Sequence, residues 1–136
     1  MALIVVAEDQ AHIRHVLTMW MRKHGYEVLE APTGRAAYEQ LIRVSADLLV
    51  TDVNMPEMDG IELAGKALAA CPSLRGVVVV TSRCDQSDIV EQLRDPRVHV
   101  YPKPFSPSQL LREVEAILGT TPATGAPSAA MGGAAS

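Results

Sequence analysis

The chain is poor in aromatic residues: one Trp, three Tyr and one Phe make up 4% of its 136 residues. Aliphatic side chains must therefore do nearly all of the packing. Cysteine is scarce as well. Cys71 and Cys84 are too few for a disulfide framework and match no metal-ligand spacing, which suits a reducing cytoplasm. There is no basic excess: 12 Lys and Arg against 16 Asp and Glu give a formal charge of −4, which argues against a broad surface for nucleic acid. Long apolar runs are missing too. The opening "MALIVVAED" has no basic n-region and soon meets two acids, and no later run approaches bilayer length, so neither export nor a membrane span is expected. What remains, 48% hydrophobic and 21% charged, is the composition of one soluble domain large enough for a real core.

Short aliphatic runs alternate with helix-length segments. "LIVVA" (Leu3 to Ala7), "YEVLEA" (Tyr26 to Ala31), "DLLVT" (Asp47 to Thr51), "GVVVVT" (Gly76 to Thr81) and "VHVY" (Val98 to Tyr101) are of strand length, and three are almost continuously apolar, as expected of strands covered on both faces. Helices are expected at roughly Gln10 to His24, Gly34 to Val44, Ile61 to Cys71, Ser87 to Arg94 and Pro107 to Leu118. In the first, Ile13, Val16, Leu17 and Trp20 recur at spacings of three and four and predict one apolar face with Trp20 packed in it; Leu110, Leu111, Val114, Ile117 and Leu118 do the same in the last. Gly25 can end the first helix, Asp95-Pro96 can stop the fourth, and Ser106 can cap the last with Pro107 at its first position. The pattern reads (βα)5, a doubly wound α/β fold with a parallel sheet and helices on both faces. From Gly119 to Ser136 the chain turns small, polar and Pro/Gly-rich, which predicts a domain over 1–118 and a flexible tail or linker over 119–136.

That topology says where chemistry would collect. In an open parallel sheet, ligands bind beyond the carboxyl ends of the strands. The polar residues there are Glu8 and Asp9 after the first strand, Asp52 after the third, Thr81 and Ser82 after the fourth, and Lys103 after the fifth. Three acids would converge beside a hydroxyl and an ammonium. Clustered carboxylates repel unless a cation joins them, and a hard divalent ion such as Mg²⁺ is the natural partner.

Glu8-Asp9, Asp52 within "TDVNMPEMDG", Thr81-Ser82 and Lys103 within "KPF" together resemble the receiver domain of two-component response regulators, over about Leu3 to Leu118. The resemblance implies a flavodoxin-like, chemotaxis-regulator-like strand order of 2-1-3-4-5. It implies that Asp52 is the phosphoacceptor, a carboxylate nucleophile forming an acyl phosphate. Asp9, Asp52 and the backbone carbonyl of Asn54 would ligate Mg²⁺ directly, with Glu8 acting through water. Lys103, aimed by a cis bond before Pro104, would contact a phosphoryl oxygen, and Thr81 would hydrogen-bond the new phosphate. A sensor histidine kinase or histidine phosphotransfer protein would donate the group, a downstream protein would read the result, and a homodimer is compatible with the pattern. The domain would help its own phosphorylation and dephosphorylation without being a turnover enzyme.

Two features depart from the family pattern. The aromatic that commonly precedes the lysine by three residues is Val100 here, and Tyr101 is one place late, on the other face of the strand. The usual Gly-Ala before the fifth strand is replaced by "RDPRV". Arg83 and Asn54 occupy positions that flank the phosphoryl group in the family. Two rival readings remain: a phosphorylation-independent adaptor that keeps the site as a relic, and a hydrolase with an aspartyl-phosphate intermediate, which the adaptor outranks because Asn54 stands where a second acid would be needed. His12, His15, His24 and His99 have no context that makes them a metal or phosphohistidine site, and Met55 and Met58 read as packing.

Overall fold

The computed structural model describes residues 2–81, 86–102 and 106–119, and the side chains among these except at 86–88. Five strands, β1 (Leu3–Ala7), β2 (Glu27–Ala31), β3 (Leu48–Asp52), β4 (Gly76–Thr81) and β5 (Val98–Pro102), alternate with α1 (Ala11–Lys23), α2 (Gly34–Leu41), α3 (Gly60–Ala70), α4 (Gln86–Leu93) and α5 (Pro107–Leu118). The strands form one parallel sheet in the order β2-β1-β3-β4-β5. The expected (βα)5 fold and strand order are thus observed.

The apolar runs explain the layering. Every residue of β3 and β4 is buried, because both faces of these central strands are covered. On one face Val5, Leu49, Val77 and Val79 pack with Ala37 and Leu41 of α2, Leu63, Ala64 and Ala67 of α3, and Ile89 of α4. On the other, Ile4, Val6, Leu48, Val50, Val78 and Val80 pack with Leu17 and Met21 of α1 and Leu110, Leu111, Val114 and Leu118 of α5. The outward carbonyls of edge strand β2 are covered by side chains: Arg22 Nη2 donates to Val28 O at 2.9 Å and Gln40 Nε2 to Glu30 O at 3.1 Å.

Helix boundaries follow the expected turn chemistry. Ser106 Oγ accepts from Gln109 N at 3.1 Å and caps α5, Gly25 leaves α1 at φ +95°, and α4 stops at Leu93, just before Asp95-Pro96. The α2 helix ends at Leu41 rather than Val44, and Ile42 is exposed. The face of α1 needs correction. Its buried residues are Leu17, Thr18 and Met21, while Val16 and Trp20 are 41% and 38% exposed. Ile13 and Leu17 belong to both possible stripes, and the stripe that meets the sheet runs on through Thr18 and Met21. Trp20 instead stacks on His24, ring centroids 6.2 Å apart.

Gly60, the first residue of α3, lies against the backbone of β3's last residue. A Cβ built there would fall 2.0 Å from Asp52 O and 2.8 Å from Asp52 C, atoms that cannot yield without moving Asp52. On β5, Tyr101 faces α5, where its hydroxyl donates to Glu113 Oε1, and His99 Nδ1 lies 3.9 Å from the same carboxylate. Burial first, and then the Glu113 carboxylate, push the Tyr101 phenol up to about 12.

Two outcomes are expected. Gly60→Ala should lose about 1–3 kcal/mol in urea unfolding, the usual cost of overpacking, despite alanine's better helix propensity. Because the folded-state pKa of Tyr101 is raised from 10.0 to about 12, its contribution to stability is complete below the unfolded value and is lost as pH rises through the folded one. The stability advantage of wild type over Tyr101→Phe should therefore shrink between about pH 10 and about pH 12, measured from urea midpoints at each pH.

Candidate functional site

The carboxyl edge of the sheet gathers the acids. Asp52 ends β3 and is 7% exposed; its Oδ1 accepts from Val53 N at 2.9 Å. Register fixes its height: Asp52 pairs with Val80, and Val53 N continues the ladder to Val80 O at 3.2 Å. Glu8 directly follows β1, is 4% exposed, and is tied to β2 through its N–H, which donates to Ala31 O at 3.1 Å. Asp9, next along the same loop, is exposed. One carboxylate oxygen from each of Glu8, Asp9 and Asp52 comes within 4.8 Å of the others. Among the described residues this is the one His, Cys, Asp and Glu cluster spaced to hold a metal ion. The all-oxygen, anionic donor set fits a hard divalent cation such as Mg²⁺.

The other expected site residues are placed as follows. Thr81 ends β4, 1% exposed, in register with Pro102. Asn54 is an exposed residue of the β3–α3 loop, two places past Asp52. That loop is held by Gly60 N donating to Val53 O at 2.8 Å and by Asp59 Oδ1, which accepts from Glu62 N at 2.8 Å and caps α3. Met55 and Met58 pack against the core beneath it, as expected. Glu57 turns the chain at φ +72°. Lys103 and Pro104, and likewise Ser82, Arg83 and Cys84, lie outside the described residues.

Sequence reasoning missed a second layer under the acids. Arg14 of α1 donates through Nη1 to the backbone carbonyl of Glu8 at 2.8 Å and through Nε to Glu30 Oε1 at 3.1 Å. Its side chain is only 14% exposed. Glu30, on β2, also lies 3.2 Å from His15 Nδ1. The sequence offered only a weak signal, that Gln10 is not a favoured N-cap residue; in the fold it makes no side-chain cap bond, so the loop before the helix needs another anchor.

The fifth strand settles where its aromatic residue lies. Val100 pairs with Val79 and packs on the face covered by α2, α3 and α4, whereas Tyr101 packs on the α1/α5 face.

Comparison with known proteins agrees with this geometry. The response regulator receiver domain family matches residues 4–115. The transcriptional regulatory protein SrrA of Staphylococcus aureus is 29% identical over 121 residues, which cover 89% of this chain and 49% of that protein. The chain thus spans about half the length of the curated relatives it matches. Among solved structures, a CheY-like response regulator receiver domain protein from Methanospirillum hungatei JF-1 superposes with TM-score 0.77 at 23% identity, covering 88% of this chain and 94% of that one, a likeness of fold. The response regulator protein TrrA from Thermotoga maritima, solved in complex with Mg²⁺ and BeF, gives TM-score 0.74 at 25% identity over 86% of this chain and 99% of that one. A matched region running from β1 into α5, on a 2-1-3-4-5 sheet with an acidic cluster at its carboxyl edge, places this chain in the response regulator receiver domain family.

Proposed function

We propose that the chain is a phosphoacceptor switch of a two-component phosphorelay, acting in the cytoplasm. The observation that carries this reading is the convergence of Glu8, Asp9 and Asp52 within 4.8 Å at the carboxyl ends of β1 and β3. Asp52 is the nucleophile: a carboxylate oxygen attacks phosphorus, the bond to the donor's histidine nitrogen breaks, and an acyl phosphate forms. The donor is a sensor histidine kinase or a histidine phosphotransfer protein. Asp9, Asp52, the backbone carbonyl of Asn54 and, less directly, Glu8 would hold Mg²⁺. When bound, the ion offsets the charge of an anionic nucleophile approaching an anionic phosphoryl group. Thr81 and Lys103 are the groups assigned to the phosphoryl oxygens.

The chain's own residues supply position. The bond from Val53 N holds one Asp52 oxygen in place, and the burial of Glu8 and Asp52 limits competing water. The new charge then biases the surface formed by α4, β5 and α5, which a downstream protein reads. The domain assists its own phosphorylation and dephosphorylation and turns over no outside substrate. A TrrA structure holding Mg²⁺ and BeF supports the metal and phosphoryl assignments by likeness. Val100 favours one rival, an adaptor that signals without phosphate, since it puts an aliphatic side chain rather than an aromatic one on the Thr81 face of β5.

Incubation with acetyl phosphate and Mg²⁺ should add one labile phosphate to the wild type by intact mass. Asp52→Asn and an EDTA control should add none. An unmodified wild type, together with unchanged partner binding by Asp52→Asn, would hand the reading to the adaptor.

A further inference from the structure

We propose that Arg14 is a positioning residue for metal binding, holding the β1–α1 loop so that Glu8 and Asp9 face Asp52. The proposal rests on the reading of that cluster as a Mg²⁺ site.

The loop has a specific mechanical problem. It must hold two carboxylates close to a third, against their mutual repulsion, and it leads into a helix whose N-cap residue, Gln10, makes no side-chain cap bond. Two bonds compensate. Glu8 Oε2 accepts from Gln10 N at 3.2 Å, so the carboxylate of Glu8 itself serves as a weak cap. Arg14, one helical turn further on, reaches back to the carbonyl of Glu8 at 2.8 Å. The first of these bonds engages one oxygen of the Glu8 carboxylate, the group proposed to act on the metal. The second touches only backbone and can persist with the metal bound.

Arg14 is itself held. Glu30 Oε1 receives its Nε at 3.1 Å, and the carbonyl of Glu30 takes Gln40 Nε2 of α2 at 3.1 Å. A continuous path of bonds thus runs from α2 through β2 and α1 to the backbone of a proposed ligand residue. A guanidinium suits this place because its fork serves two acceptors in fixed relative positions, which a lysine ammonium does less well.

The direction of the effect separates positioning from charge. Through charge alone, a guanidinium near a cation site opposes Mg²⁺, so its removal should tighten binding. If Arg14 positions the loop, its removal should loosen binding, and residues that orient metal ligands typically account for about 10–100-fold in affinity. Isothermal titration with Mg²⁺ alone, on the full chain, reads this without phosphorylation. Arg14→Met should raise the Mg²⁺ dissociation constant by about tenfold. Arg14→Lys should fall between, and Glu30→Gln should shift in the same direction by less. If Arg14→Met does not fold by circular dichroism, Arg14→Lys and Glu30→Gln carry the same test. A lower melting temperature with unchanged or tighter Mg²⁺ binding would overturn the proposal and leave Arg14 a structural residue. Wild type that takes phosphate at Asp52, beside a variant with unaltered Mg²⁺ affinity, would sink the proposal alone. Wild type that binds no Mg²⁺ would sink both the proposal and the metal reading of the cluster.

Discussion

Repulsion among three carboxylates is the constraint around which the rest is arranged. Glu8, Asp9 and Asp52 offer oxygens within 4.8 Å of one another, and two of the three side chains are buried. Such a cluster is unfavourable without a cation, so the scaffold must be stiff where it carries the acids. Stiffness comes first from β3, whose five residues are all buried between two helical layers. Asp52 is the last of them and has little freedom to withdraw. It comes next from α3, whose first residue is pressed so close to the Asp52 carbonyl that only glycine fits. The β1–α1 loop has no such packing and relies on hydrogen bonds, those of Glu8 N to Ala31 O and of Arg14 to Glu8 O.

The elements best read from sequence are those whose signals are local. The runs Leu3 to Ala7 and Gly76 to Thr81 became strands with those same ends, and α5 starts at Pro107 behind its Ser106 cap. Both depend on residues within a few positions of one another. The end of α2 lacked such a signal: no glycine or proline follows Leu41, and the chain leaves the helix through a tight turn in which Arg43 N bonds Gln40 O at 3.0 Å. The face of α1 failed for a different reason. Two overlapping apolar stripes share Ile13 and Leu17, and periodicity alone does not choose between them. Packing against Tyr26 and α5 selected the stripe with Thr18 and Met21, which left the larger Trp20 outside.

Much of the acidic cluster was legible because it follows from topology rather than from side-chain detail. Once the chain reads as a parallel sheet, residues that end its strands must converge, whatever lies between them. Asp52 lies more than 40 positions from the adjacent Glu8 and Asp9, yet their meeting needed only that rule. The layer beneath them did not have one. Arg14 and Glu30 meet through particular rotamers across 16 residues of chain, and no periodicity predicts that meeting. It could be inferred only backwards, from the missing side-chain cap at Gln10.

The alternation of β5 constrains how a change at Thr81 could travel. Side chains on successive strand residues point to opposite faces, so Tyr101 and Val100 cannot exchange roles without a slip in register. Register is firm here: Val98, His99, Val100 and Tyr101 pair in order with Val77 to Val80. Tyr101 is further tied to Glu113 on α5. The side chain on the Thr81 face is thus Val100, a β-branched residue with restricted χ1 and no polar tip. It can fill space but cannot swing between core and solvent while keeping a hydrogen bond. A change at Thr81 that travelled along β5 would therefore have to move the backbone or α4, since Val100 has no ring to rotate.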